Sequence, residues 1–501
     1  MRFRNRPIFT ALAVALAAAL AQPAAAEDLM QVYDMARASD PQLAGADSQR
    51  LAARENVVQS RALLLPTISG QATLTDDDLD SSSTRAFLRP DGSVGFGESL
   101  YNQDVRQRVY RAQLDQSVFD YSRWTRLRGS RAFSQQNEAT YEAALDLLFI
   151  RVSQVYFDAL TAHTNLEAAE AEETAVGRQL EQANQRFEVG LTAITDVHEA
   201  QARYDSARAN VIIARDALND AYYAVEELTG AKVSTLRSLA DSIPLAAPEP
   251  PDQEAWVKVA EEQNPTLASR RFQVEASEAD ISTARAGHYP SLGLQAVETR
   301  SDTWGAAFSN DNPQPPGASS DDTAIGLVLN VPIFEGGATQ SRVRQAVHNR
   351  DISSDFLEQD RRLVVRQTRN SFRNVVAGIS LIDARRAALV SAQSALEATQ
   401  AGFEVGTRTI VDVLLSQQQL FVATQEYARV RHGFLVENLR LKQAAGVIEV
   451  GDLQAVNALL SGPEKSVDTT LPVPPPTVDV APKIDATPSS VDDEQVDGTK
   501  G

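Results

Sequence analysis

The chain contains one order of segments twice, and this repetition constrains its fold more than any other feature. The string RFEVGLTAITDV at 186–197 returns 216 residues later as GFEVGTRTIVDV at 402–413. The string ASDPQLAGADSQ at 38–49 has EQNPTLASRRFQ at 262–273 as its counterpart. Because internal repetition defines the structural unit, the unit is half of the chain. Each half is predicted to contain a helix, two strands, a long helix, a glycine turn and a shorter helix.

The first 26 residues have the pattern of a secretory signal peptide. Arg2, Arg4 and Arg6 precede an apolar run, and Ala24–Ala26 form an A-x-A cleavage signal before Glu27. The apolar run is too short to cross a bilayer as a mature helix. Since the chain has no cysteine, we expect no lipid anchor, disulfide or thiolate metal site.

The chain is strongly acidic. Its 47 basic and 67 acidic residues give a formal net charge of −20, which becomes −23 when the three signal-peptide arginines are removed. Nucleic-acid phosphates would repel such a chain, so we expect no nucleic-acid partner. The acidity suits a solvated surface and a cation-attracting cavity equally well.

Four segments alternate apolar and polar residues with a period of two, which predicts half-buried strands. The predicted strands cover about 64–76, 105–119, 289–302 and 321–334. Their apolar positions are Ile68, Ala72, Leu74, Tyr110, Ala112, Leu114, Val118, Leu292, Leu294, Ala296, Ile325, Leu327, Leu329, Val331 and Ile333. Tilted strands of about ten residues are long enough to cross a membrane. No apolar run of about 20 residues follows the signal peptide, so no transmembrane helix is predicted.

The strand pattern alone leaves two architectures open, a soluble sandwich and a membrane barrel. The sandwich is disfavoured because each hairpin lies between long helical segments and has no other sheet to pack on. In a membrane, open sheet edges cannot face lipid, and four strands cannot close a barrel. Two chains would give eight strands, whose interior side chains fill. Three chains give twelve strands and a usable lumen, so we predict a trimer.

Long segments with heptad spacing follow each pair of strands. The predicted helices are 27–62, 120–188 and 194–229 in the first repeat (27–230), and 254–287, 335–405 and 409–445 in the second (254–446). Leu145, Phe149, Val152 and Tyr156 begin one seam of alternating four- and three-residue steps, which buries a narrow stripe between helices. The Pro-rich segment 231–253 separates the repeats, 447–463 follows them, and 464–501 is predicted to be a disordered tail.

With these features the chain resembles the TolC family, the outer-membrane channel-tunnels of Gram-negative efflux and secretion systems. The resemblance runs from Glu27 to about Leu460 and includes DLMQVYDMARASDP, the LLP at 64–66 and, most specifically, GTRTIVDVL at 406–414. It implies a mixed α and β membrane protein, a homotrimer with a twelve-stranded outer-membrane barrel and an α-helical coiled-coil tunnel through the periplasm. Segments 231–253 and 447–463 would form an equatorial layer. A periplasmic adaptor and an inner-membrane RND or ABC transporter are the implied partners.

Two glycines mark the predicted periplasmic tips, which we call the first tip (186–197) and the second tip (402–413). Each glycine is predicted to end a helix with a positive φ. In the resembled family these tips meet the helical hairpins of the adaptor. The implied contact residues are Gly190, Leu191, Thr192, Val405, Gly406 and Thr407.

A gate is predicted beside the tips. Asp196 and Asp412 each lie six residues after their glycine, where an acid also interacts favourably with a helix dipole. In a trimer, an inward Asp412 would form a ring of three carboxylates, as in cation-selecting pores. The resemblance implies that Asp412 lines the constriction and that Arg408 bonds across to Asp196 as a latch. The predicted gate residues are Asp412, Arg408, Asp196, Thr195, Phe403, Gln400, Gln179 and Leu415.

Three gate positions depart from the family pattern. Phe403 stands where the family has a tyrosine whose hydroxyl bonds to the latch, and Leu415 replaces a second ring aspartate. Gln400, which is expected to face Gln179, replaces a glutamate. We therefore expect a leakier gate with a lower affinity for cations.

No enzymatic or metal chemistry is predicted. The five histidines, His163, His198, His288, His348 and His432, match no metal-ligand spacing, and His163 falls on a heptad seam, which favours core packing. The chain has neither a P-loop nor a complete dinucleotide-binding fingerprint. We predict a passive outer-membrane exit duct that extends into the periplasm, needs no cofactor and is opened by its adaptor and pump. The alternative is a trimeric coiled-coil spacer or adhesin stalk without transport.

Overall fold

The computed structural model describes residues 26–309, 312–314 and 317–466. The first half contains α1 (Leu29–Ser39), α2 (Pro41–Ala62), β1 (Thr67–Leu88), β2 (Val94–Phe119), α3 (Tyr121–Glu188), α4 (Ile194–Thr229) and β3 (Thr235–Arg237). The second half contains α5 (Gln253–Gln263), α6 (Pro265–Ala286), β4 (Ser291–Ser309), β5 (Asn312–Gln314), β6 (Ala318–Asn330), α7 (Ala338–Glu404), α8 (Ile410–Ala445), α9 (Val450–Asn457) and β7 (Glu464–Ser466). The predicted signal peptide, apart from Ala26, and the tail after Ser466 lie outside the described residues.

Two of the predicted helices are each divided before a proline. The sequence predicted unbroken helices over 27–62 and 254–287, but α1 ends at Ser39 and α5 ends at Gln263. Asp40 and Asn264 have extended backbones, and their side chains accept hydrogen bonds from the first turns of α2 and α6. A residue that precedes proline is disfavoured in the helical conformation. The prediction of unbroken helices was therefore wrong at both dipeptides.

The strands form one antiparallel sheet in the order β1–β2–β4–β6, and the short β5 pairs with the end of β4. Ile68 lies opposite Leu114, Leu114 opposite Ala296, and Ala296 opposite Ile325. Directly opposite residues of paired strands share a face, so this apolar row crosses one face of all four strands. Every residue of β1 and β6 is exposed, so no second sheet covers these strands within the described protomer. The sandwich alternative is wrong.

The apolar rows form a band of limited height. Along β4 the uncharged rows extend from Leu292 to Ala296, and four residues correspond to about 14 Å. The following rows carry Glu298 and Arg300, and Arg300 pairs with Asp321 at 3.7 Å. In the next row away from the helices, Arg108 pairs with Asp302 at 2.9 Å. The apolar band therefore lies near the helices, and charged pairs begin beyond it.

Three of the four long strands are longer than the alternation predicted, and the fourth, β6, is shifted toward the loop, so that Val331 and Ile333 lie outside it. β1 continues to Leu88 instead of about 76, and β2 begins at Val94 instead of about 105. β4 ends at Ser309 instead of about 302, and β6 covers Ala318–Asn330 instead of about 321–334. The Asp- and Ser-rich extension of β1 is held by backbone pairing that continues unbroken to its last residue. Backbone pairing leaves no period-two signal in the side chains, so the sequence could not show these extensions.

The helices pack in two rows, one above the other. Next to the sheet, α2 packs on α3, α3 on α6 and α6 on α7; toward the far end, α4 packs on α3, α3 on α8 and α8 on α7. α3 and α7 run through both rows. The outermost helices are therefore α2 and α4 on one edge of the protomer and α7 on the other.

The described helices do not include one that is both long enough and apolar enough to cross a membrane.

The main hydrophobic core lies where the two rows meet. Leu29 of α1, Tyr156 of α3, Leu441 of α8 and Leu453 of α9 are all fully buried there. The Tyr156 hydroxyl donates to the Arg237 carbonyl at 2.7 Å and so ties β3 to this core. Residues 464–466, which were predicted to be disordered, form β7 and pair with β3. That part of the tail prediction was wrong.

Candidate functional site

The two tips have the same backbone geometry, because each ends a long helix with a left-handed glycine. Gly190 has a φ of 73° and Gly406 a φ of 79°. The Leu191 N–H donates to the Arg186 carbonyl, and the Thr407 N–H donates to the Gly402 carbonyl, each at 2.8 Å. This pattern satisfies carbonyls that a helix end leaves unpaired. The predicted role of the glycines as helix-ending residues is confirmed.

Apolar side chains project from both turns at the end of the molecule remote from the sheet. Leu191 is 77% exposed, Val405 is 75% exposed and Val189 is 68% exposed. The predicted contact residue Thr192 follows Leu191 in the chain, and Thr407 follows Gly406. Val189 was not predicted as a contact residue, although it belongs to the repeated VG string that identified the tips. Because exposed apolar side chains carry a solvation cost, this cluster is suited to a partner surface.

Asp412 is held rigidly at the start of α8. Its carboxylate accepts hydrogen bonds from the Thr409 N–H and the Thr409 hydroxyl, each at 2.9 Å, and its own N–H donates to the Thr409 oxygen at 3.3 Å. The bonds from Thr409 hold the pKa of the Asp412 carboxyl below its ordinary value, with a smaller contribution from the charge of Arg408. The Asp412 carboxylate is therefore charged at neutral pH.

The predicted latch residues do not meet within one protomer. The Asp196 carboxylate accepts a hydrogen bond from the Thr192 hydroxyl in its own tip. Across the described residues, Arg408 forms no ion pair with Asp196 or with any other carboxylate. Thr195 is exposed beside Asp196. The latch therefore stays a prediction.

Phe403 contributes to a contact that the sequence did not predict. The Arg186 guanidinium lies over the Phe403 ring at 4.6 Å from its centre. Phe403 also packs against the small apolar cluster that contains Val176 of α3 and Ile410 of α8. Arg186 is the last basic residue of α3 and Phe403 lies in the last turn of α7. The two tips are thus joined within one protomer by a cation–π contact.

The remaining gate positions have mixed surroundings. The side-chain carbonyl oxygen of Gln179 is buried without a hydrogen-bond partner, so Gln400 does not donate to it. The buried Gln417 of α8 has a similar unpaired oxygen, and Gln417 was not predicted as a site residue. Leu415 is 43% exposed on the first turns of α8. The predicted Gln179–Gln400 contact is not formed within the protomer at that atom.

His163 lies in the core, as its seam position predicted. Its Nε2 is 3.0 Å from the Tyr222 hydroxyl, and the ring is almost completely buried. Burial lowers the pKa of His163 to about 4. The side chain is therefore neutral at physiological pH and serves packing.

Comparison with known proteins decides the family. The sequence profile described as outer membrane efflux protein matches residues 32–231 and 256–447. The chain belongs to this family. It is 37% identical to the outer membrane protein TolC of Vibrio cholerae over 441 residues, which cover 88% of this chain and 95% of that protein. It is 29% identical to the alkaline protease secretion protein AprF of Pseudomonas aeruginosa, over 90% of this chain and 91% of that protein.

Solved structures agree on the fold. The outer membrane protein VceC of Vibrio cholerae superposes with a TM-score of 0.66 at 18% identity, covering 83% of this chain and 96% of that chain. The predicted resemblance to the TolC family is confirmed. The chain is an outer-membrane exit duct that extends into the periplasm, in a family of efflux channels.

Proposed function

We propose that three copies of the chain form one continuous duct, with a twelve-stranded barrel above a helical tunnel. The open sheet carries this proposal: within the described protomer, β1 pairs only with β2, and β6 pairs only with β4. Unpaired backbone edges cannot face lipid. When β1 of one copy pairs with β6 of the next, both edges are satisfied. Twelve strands leave a lumen, whereas eight fill with side chains.

The helices support the same closure. α2 and α4 form one edge of the protomer, and α7 forms the other. α7 carries exposed apolar side chains along its length, namely Ile352, Phe356, Leu363 and Leu381. Such a row is expected where the α7 of one copy packs on the α2–α4 edge of the next.

The apolar band of the sheet supports insertion into the outer membrane. The apolar row of Ile68, Leu114, Ala296 and Ile325 crosses one face of all four strands, as expected for the outward face of an outer-membrane barrel. The opposite face, which carries Ser69, Gln113 and Gln71 among other polar residues, would then line the lumen. Polar cargo passes such a wall without desolvation.

Trimer closure also assembles the gate. The second tip lies beside the α7 edge and the first tip beside the α4 edge, so closure brings Arg408 of one copy toward Asp196 of the next. Asp412 of three copies would form the carboxylate ring. Because Leu415, which has no carboxylate, occupies the position of the second ring, the constriction would contain a single acidic ring. The latch and the ring hold the resting duct closed.

The exposed apolar tips would dock a periplasmic adaptor, which connects the duct to an inner-membrane RND or ABC transporter. Leu191 and Val405 supply the apolar contacts, and the glycine turns allow close backbone approach. AprF is a protease secretion protein and the matching family is one of efflux proteins, so cargo of both kinds fits the duct. The adaptor opens the gate by separating the latch residues.

Two measurements test the architecture. Native mass spectrometry in detergent should give three chains per particle, and planar bilayers should show discrete conductance. A stable, conducting monomer would refute the trimer. Trimers without conductance would instead favour a structural stalk.

A third measurement tests the latch. Arg408→Ser should raise single-channel conductance while the trimer stays intact, because no strand or core residue changes. Arg386→Ser is the matched control, since Arg386 is an exposed arginine of α7, the helix that precedes the second tip, and lies well before the end of that helix at Glu404. Equal conductance of the Arg408→Ser variant and the control would exclude Arg408 from the gate.

A further inference from the structure

One face of α7 carries a row of arginines beside the N-terminus of α5. Arg362, Arg366, Arg369 and Arg373 follow one another at steps of four, three and four residues, which places them on one side of the helix. With Gln253 of α5 they line an open groove of about 610 Å³. We call this cavity the arginine groove. It lies at the level of the main core, far from both tips.

The arginine groove contains more guanidinium groups than carboxylates. Glu358 pairs with Arg362 at 2.8 Å, and Glu254 pairs with Arg369 at 2.9 Å. Arg373 donates only to the side chain of Asn370, and Arg366 is exposed; in the described part of the chain neither has a carboxylate partner. A local excess of positive charge on a chain of net charge −20 points to an anionic occupant.

We propose that the arginine groove is the docking site of the acidic C-terminal segment of this same chain, residues 485–497. The segment DATPSSVDDEQVD contains five carboxylates and no basic residue. Guanidinium groups bind carboxylates through paired N–H donors, which makes arginine the preferred partner of such a segment. The row from Arg362 to Arg373 covers about 16 Å of helix. An extended peptide of about five residues, such as Asp493–Asp497, has the same length.

The chain leaves the described structure beside the main core. Ser466 is the last described residue, and its strand β7 pairs with β3. Leu236 of β3 and Trp256 of α5 are buried in the same core cluster, so the end of β7 and the groove flank one core.

The connecting segment is long enough for the segment to reach the groove. Twenty-five residues lie between Ser466 and Asp492, and a chain of that length can span at most about 90 Å.

Tethering favours this occupant over a free anion. A linker of this kind gives an effective concentration on the order of millimolar, so weak ion pairs suffice to keep the groove occupied. A free polyanion in the periplasm would have to compete with this local concentration. The segment can form the same ion pairs in the groove of its own copy or of an adjacent copy. Docking therefore does not require the proposed trimer.

Disulfide crosslinking tests the proposal, because the chain has no cysteine of its own. Asn370→Cys places one thiol in the groove, and Gln495→Cys places the other in the segment, without removing a charge. Full-length protein with both substitutions should form the disulfide at least about 10-fold faster than a matched control. The control combines Gln495→Cys with Gln393→Cys, an exposed position on the same helix outside the groove. Equal rates would overturn the proposal.

Charge neutralisation separates specific docking from chance encounter. Arg366→Gln with Arg373→Gln, and separately Asp492→Asn with Asp493→Asn, should each slow the crosslink several-fold, as should 0.5 M salt. If the disulfide forms fast and its rate is unchanged by all three changes, the proposed ion pairing is refuted.

A competing occupant is tested with inorganic polyphosphate. The protein with the neutralised segment should bind polyphosphate more tightly than wild type, because the groove is then free. Equal binding would show that a free anion occupies the groove and would refute the docked segment. Conductance of the same preparations reports the duct separately, so failure of this proposal leaves the proposed function testable.

Discussion

The contact between Arg186 and Phe403 is expected to help hold the duct closed, because it joins the two tips of one protomer. Phe403→Leu keeps an apolar side chain in the tip cluster but removes the ring over which the guanidinium lies, 4.6 Å from the ring centre. Arg186→Gln removes the cation and keeps a long polar side chain. The two substitutions together form a double-mutant cycle that isolates the contact.

The magnitude follows from the geometry. A cation–π contact at a partly exposed site contributes about 0.5–1 kcal/mol. If the tips of three copies open together, the closed state loses about 1.5–3 kcal/mol on removal of all three contacts. Since 1.4 kcal/mol corresponds to a factor of ten, the ratio of open to closed channels should rise roughly 10- to 150-fold.

Single-channel recording in planar bilayers measures this ratio. Phe403→Leu and Arg186→Gln should each raise the open probability, and the double variant should add little to either. Phe187→Leu is the matched control, because Phe187 occupies the corresponding position of the first tip and is 42% exposed. Additive effects in the double variant, or an equal effect of the control, would refute the role assigned to the contact.

Three further predictions concern the tip and the helices. Asp412→Asn should weaken block of the channel by multivalent cations at the periplasmic side while keeping an acceptor for Thr409, and unchanged block in this variant would place the constriction elsewhere. Because the pKa of the Asp412 carboxyl is lowered in the folded state, block of the wild-type channel should persist down to acidic pH and disappear only as pH falls below the ordinary carboxyl value. Burial, with a smaller contribution from Glu142, raises the pKa of Asp146 to about 7. Asp146→Asn should therefore stabilise the protein by about 1–3 kcal/mol at pH 8, after allowance for partial exposure of Asp146. This difference in stability should vanish toward pH 4, and a pH-independent difference in thermal midpoint would contradict the prediction. Gly406→Ala should destabilise the second tip by about 1–2 kcal/mol because Gly406 has a positive φ, and proteolysis at the turn should become faster. Gly433→Ala on the neighbouring helix is the control and should not speed proteolysis, because Gly433 has open space around it and no positive φ.

Local patterns in the amino-acid sequence predicted most of the elements of the fold. Glycines after heptad runs determined where α3 and α7 end, because only the left-handed conformation closes those turns and glycine adopts it without cost. Period-two alternation located all four long strands, since a strand with one apolar face must alternate. The same local reasoning failed at Asp40 and Asn264, where the preference of a residue before proline for extended backbone overrode the helical periodicity.

Contacts between distant segments were decided only by the tertiary structure. The pairing of Leu114 with both Ile68 and Ala296 depends on register between strands far apart in the chain, and no single segment encodes it. The cation–π contact of Arg186 with Phe403 joins residues of different repeats, so neither tip string predicted it. The sequence by itself determined the repeat, the element types, the tip turns and the family resemblance, because these depend on neighbours along the chain. Register, the open edges of the sheet and the arginine groove depend on which surfaces meet in space, and that is settled only when the whole core packs.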